Sequence, residues 1–116
     1  MNILQELKGI IEPMNIPIET GVFSKEAPSE YIVLVPLEDS YSLNADNLPQ
    51  TDVQGVRITI YTKGNYLKLK NKILSKLLKD FYITGRRYNG FDADTGYYQY
   101  TIDVAKNYEI DIEEDN

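Results

Sequence analysis

Residues 55–81, GVRITIYTKGNYLKLKNKILSKLLKDF, restrict the fold of this chain more than any other stretch. The first part alternates: Val56, Ile58 and Ile60 point one way, and Arg57, Thr59 and Tyr61 the other. That is the two-residue period of a strand with one buried face. After Gly64 and Asn65 the period changes. Tyr66, Leu67, Leu69, Ile73, Leu74, Leu77, Leu78 and Phe81 recur at helical spacing, and Lys68, Lys72, Lys76 and Lys79 take the wet side. A strand with one apolar face and a helix with one apolar side bury both by packing together, so this stretch predicts a helix lying on a sheet.

The remaining segments supply partners. Ile3, Leu4, Leu7, Ile10, Ile11 and Met14 form one helical stripe, with Asn2 able to cap its start and Pro13 to end it, which predicts a helix over residues 2–12. PIETGVF reads as short and extended, with Gly21 at a bend or bulge. In EYIVLVPLE, the run Ile32 to Val35 suits a well-packed strand that Pro36 terminates or confines to an edge. Residues 39–50, DSYSLNADNLPQ, are the least patterned segment and read as a long loop, either one that orders on a partner or a floppy surface loop. FYITGRRYNGF and GYYQYTIDV read as two strands around a turn. The expected fold class is α+β: a mainly antiparallel sheet with two helices packed on one face, in the order α-β-β-(loop)-β-α-β-β. The expected domain is residues 1–107, followed by an acidic tail over 108–116.

Composition narrows the chemistry. The 116 residues include neither cysteine nor histidine. Disulfides, thiolate nucleophiles and cysteine zinc sites are excluded, along with the commonest general base and transition-metal ligand. Carboxylate catalysis stays open, but no pair of acids has an evident reason for split pKa values. No apolar run is long enough to span a bilayer, and the opening MNILQELKG lacks the basic start and cleavage site of a signal peptide. The net charge of −6 is concentrated in YEIDIEEDN, where Glu109, Asp111, Glu113, Glu114 and Asp115 meet no basic residue. Net acidity argues against direct nucleic-acid binding, which needs cations to displace phosphate counterions.

Three local patterns invite functional readings. FDADTG resembles part of a calcium loop, but with Asp92 at position 1 and Asp94 at 3, position 5 is Gly96, position 6 is Tyr97, and position 12 is Asp103 instead of glutamate. The same residues suit a hairpin tip, and that is the expectation. Six of the twelve basic residues lie between Lys63 and Lys79, but no phosphate-loop motif accompanies them, and the polar face of a helix accounts for them. The alternative is a basic surface that meets an acidic surface of a neighbouring subunit, for which the tail is suited. Arg86 and Arg87 in one strand would point to opposite faces, so both cannot serve one anion site. Ten tyrosines are many for this length, and tyrosine is common at interfaces.

The ordered set EYIVLVPLEDSYSLNADNLPQTDVQGVRITIYTKGNY, the lysine-bearing helix and YITGRRYNGFDADTGYYQYTIDVAKNYEI resembles the small tail-completion, or tail-terminator, proteins of long-tailed phages and of prophages in Gram-positive bacteria. The resemblance covers roughly residues 1–110 and rests on the layout, since no catalytic signature accompanies it. It implies a non-enzymatic virion protein without a cofactor or metal. Such proteins form rings, commonly hexamers, at the head-proximal end of the tail tube, stop its growth and meet the head connector. The implied partners are therefore the chain itself, the tail-tube protein and the head-connector protein, with neither nucleic acid nor membrane. The implied location is the virion tail, assembled in the host cytoplasm. A head-completion or neck protein of the same phage and a small host protein-binding adaptor are the alternatives. The family supplies no short motif to transfer. The candidate interface residues come from composition: Tyr41, Leu43 and Leu48 in the polar segment, and Arg86, Arg87 and Phe91 in the final hairpin.

Overall fold

The structure, a computed structural model, describes residues 2–20, 28–43 and 49–109. Helix α1 (Ile3–Ile11) opens with a capping box. Asn2 Oδ1 accepts from the Gln5 N–H at 2.9 Å, and the Asn2 N–H donates to Gln5 Oε1 at 3.1 Å. A short 3-10 turn (Glu12–Met14) follows, with Pro13 inside it and Asn15 in the left-handed region at φ 59°. Helix α2 (Tyr66–Leu77) starts at Asn65, whose Oδ1 accepts from the Lys68 N–H at 3.2 Å.

Six strands form one sheet: β1 (Ile18–Thr20), β2 (Glu30–Pro36), β3 (Ser40–Leu43), β4 (Pro49–Thr62), β5 (Tyr82–Asp92) and β6 (Tyr97–Tyr108). Their order is β1-β2-β4-β6-β5, and β3 pairs with β4 beyond the end of β2. Only the β1–β2 pair is parallel. The expected α+β class holds.

Ile32 and Leu34 of β2, Val56, Ile58 and Ile60 of β4, and Ile102 and Val104 of β6 lie on one sheet face and are fully buried. Ile3, Leu7 and Ile11 of α1 and Leu69, Ile73, Leu74 and Leu77 of α2 join them in one core, so both helices cover that face. Each such side chain contributes about 1.5–3 kcal/mol through burial. At the far end, Glu6 of α1 pairs with Lys106 of β6 and accepts from the Tyr108 hydroxyl at 3.3 Å, while the Ile3 N–H donates to Gln54 Oε1 at 2.9 Å. These contacts tie α1 to the sheet through groups far apart in the chain.

Three expectations need correction. Residues 39–50 do not form one long loop: Ser40–Leu43 are a strand, and β4 starts at Pro49, well before the apolar alternation begins. Polar residues join this ladder because strand pairing uses backbone groups, and Pro49 stands at the strand's first position, where a missing N–H is tolerated. The order is therefore α-β-β-β-β-α-β-β. The α2 stripe is also narrower than its leucines suggest. The helix ends at Leu77, Leu67 and Leu78 are 50% and 63% exposed, and Phe81 is buried from the turn after the helix. Finally, β6 runs to Tyr108, beyond the apolar alternation that revealed it. Gly21 and residues 110–116 of the acidic tail lie outside the described residues.

Candidate interaction surfaces at the sheet edges

Strand β5 is an edge strand: among the described residues it pairs with β6 alone. It carries Arg86 and Arg87 and no acid before Asp92. Arg86 stands opposite Ile102, on the helix side, and Arg87 opposite Thr101, on the other face. The opposite pointing expected for these two arginines is what the register gives. Arg87 Nε donates to Asn89 Oδ1 at 3.0 Å, and Asn89 in turn donates to the Thr101 hydroxyl. Two register shifts, at Ile83/Gly85 and Tyr88/Gly90, leave Gly85–Tyr88 as the regular stretch between them. Gly90 has φ +117°, a conformation that favours glycine.

Aromatic side chains build up the helix-side end of this edge. Tyr66 at the start of α2 stacks on Tyr88 at 4.8 Å and Tyr98 at 5.6 Å, and Phe91 lies 4.7 Å from Tyr98. The layer is only half covered: Tyr88 is 45% exposed and Phe91 52%. Tyr82, 65% exposed at the start of the strand, stands opposite Ala105 on the other face. Further along the same edge, Leu74, Leu78, Ile83 and Arg86 line a groove of about 290 Å³ between α2 and β5. Large apolar groups exposed together in this way mark contact surfaces more often than isolated ones do.

The hairpin tip between β5 and β6 is a tight turn. Asp92 Oδ1 accepts from the Asp94 N–H at 2.9 Å, the Gly96 N–H donates to the Asp92 carbonyl at 2.7 Å, and Gly96 has φ +81°. The Asp92 carboxylate thus serves the turn, as the hairpin reading expects. Among the described residues, no group of three or more acidic side chains is placed to hold a metal ion, and no helix is long and apolar enough to cross a membrane.

The five candidate interface residues among the described residues do not form one site. Arg86, Arg87 and Phe91 share β5 but divide between its two faces. Tyr41 and Leu43 belong to β3, on the side of β4 away from β6 and β5. Leu48 lies outside the described residues. The β5 group and the β3 group therefore occupy opposite sides of the sheet.

A second aromatic group was not foreseen. On the helix-free face Tyr31 and Tyr61 stack at 4.6 Å, and Tyr97 meets both edge-on at 5.4 and 6.2 Å. The Tyr97 hydroxyl donates to the Pro28 carbonyl, and Lys63 Nζ lies 5.0 Å from the Tyr97 ring centroid. Its one trace in the sequence is that Tyr61 and Tyr97 fall on the polar phase of their strands. What joins them is the register Tyr31↔Tyr61 and the position of β6 beside β4. No protein-family model matches this chain, and no curated protein is significantly similar to it.

Proposed function

We propose that this chain is a structural assembly protein of a phage tail, a terminator that forms a ring on the head-proximal end of the tail tube and joins it to the head. The resemblance in layout suggests the role. The observation that carries it is the open β5 edge, where Tyr82, Tyr88 and Phe91 are about half exposed or more beside two arginines. A closed ring of identical subunits built head to tail needs two unlike patches on each subunit. The β5 edge and the β3–β4 arm, on opposite sides of the sheet, supply such a pair. The role is non-enzymatic and takes no cofactor. It puts the protein in the virion tail, with the tube and the head connector as partners.

The test is to delete the gene from its phage and examine the particles by electron microscopy. Abnormally long tails and tails without heads are the expected result. Normal tails would overturn the reading, and tube-length tails with heads lacking a neck ring would move the protein to the connector. Addition of the purified chain to isolated tubes should place density at one tube end only.

A further inference from the structure

We infer that the regular stretch of the β5 edge, Gly85–Tyr88, is the docking site for the acidic segment 109–114 of a second copy of this chain, added as a short strand. The inference rests on the ring reading only in needing a second copy, and it names what covers the edge.

The edge has a definite chemistry. Between Tyr82 and Phe91 its charged residues are Arg86 and Arg87, one on each face. Bulges bound the regular stretch on both sides. Charges and bulges on an edge strand deter indiscriminate pairing. What they leave admissible is a short strand that is acidic on at least one face and apolar where it meets the groove of Leu74, Leu78 and Ile83.

The segment after Tyr108, EIDIEE, has that pattern. Side chains of a strand alternate between faces. With Ile110 and Ile112 turned toward the groove, Asp111 and Glu113 fall on the face of Arg87, and Glu114 falls on the side of Arg86. Backbone pairing with an open edge supplies affinity, and the alternating side chains supply selectivity.

The donor is another copy because the chain's own segment cannot reach. Tyr108 lies on β6, five residues past Asp103, which is opposite Gly85. To lie outside β5 the chain would cross two strand spacings, about 10 Å, and return about 17 Å along the strands. The two residues from Tyr108 to Ile110 span at most about 7 Å.

The test is sedimentation velocity on the full chain over a concentration series, at low and high salt, with circular dichroism to verify folding. The unmodified chain should self-associate, more weakly at high salt. The reversals R86E/R87E and D111R/E113R should each raise the dissociation constant about tenfold or more. The chain carrying all four changes should regain association, as should an equimolar mixture of the two reversed chains. Failure of both to regain it would overturn the inference, as would association untouched by either reversal. An unmodified chain that stays monomeric yet caps tail tubes would overturn this docking and leave the terminator role standing.

Discussion

Arg57 and Asp103 stand directly opposite each other on β4 and β6, joined by two parallel hydrogen bonds, Nε to Oδ1 at 2.9 Å and Nη2 to Oδ2 at 3.1 Å. The pair lies on the helix-free face, where Arg57 is 43% exposed and Asp103 22%. A two-pronged contact between planar groups is held more firmly than most surface pairs, though water and salt still weaken it. Arg57→Met and Asp103→Asn should each lower the urea midpoint slightly, and the double variant should lose little more than the worse single one. The coupling should shrink in high salt. Strictly additive losses at low salt would show that the two residues do not act as a pair.

Leu77 and Leu78 are neighbours with opposite fates, the first fully buried and the second 63% exposed. Leu77→Ala should cost about 2–5 kcal/mol, since it empties part of a packed core. Leu78→Ala should stay within about 0.5 kcal/mol in the monomer. Chemical denaturation of both variants at low protein concentration checks this, and equal costs would contradict the exposure of Leu78.

Gly96 and Gly9 make a second contrast. Gly96 has φ +81°, while Gly9 lies within α1 with nothing within 4 Å of a Cβ built on it. Gly96→Ala should destabilise by about 1–2 kcal/mol, because a side chain in left-handed backbone meets the carbonyl oxygen. Gly9→Ala should stabilise by up to about 1 kcal/mol, because alanine has the higher helix propensity. Melting temperatures that move in the same direction would refute one of the two assignments.

The Tyr108 hydroxyl donates to Glu6 at the junction of β6 and α1. Its pKa is raised above the ordinary tyrosine value of 10.0, chiefly by burial and then by the neighbouring Glu6 carboxylate. The folded state therefore holds this proton more tightly than the unfolded state does. The stabilisation is complete below pH 10 and is lost as the pH rises beyond it, because the unfolded chain ionises first. At neutral pH Tyr108→Phe should cost about 1 kcal/mol, the worth of the hydrogen bond. That gap should narrow above pH 10. Denaturation of both proteins over the alkaline range is the measurement, and a gap that widens there would reverse the sign.

Much of the framework was legible because it is local. The alternation of Val56, Ile58 and Ile60 needs only the pleat of a strand, and the Asn2 and Asn65 caps need only the first turn of their helices. The tip at Asp92 and Gly96 follows from turn chemistry within a few residues. β3 was missed for the opposite reason. Ser40–Leu43 alternate for only four residues among Asp, Asn and Pro, too short a period to stand out, and they are strand because β4 extends past β2 and offers them a backbone ladder. Leu67 and Leu78 share the helical spacing of the core residues yet stay exposed, because periodicity gives the direction of a stripe but not its width, which depends on the surface the helix rests against.

Local sequence pattern is enough for most elements: two capped helices, the strands of period two, a tight hairpin tip and an acidic segment apart from a nearly neutral body. Tertiary structure decided adjacency. The order β1-β2-β4-β6-β5 put β5 on an edge and β3 across the sheet from it, so the candidate residues of β5 and those of β3 separated into distant groups. It also brought Tyr31, Tyr61 and Tyr97 together and set Arg57 against Asp103. The physical reason is that strand neighbours are chosen by hydrogen bonds and burial between residues far apart in the chain, and no local pattern of side chains encodes which strand will lie alongside which.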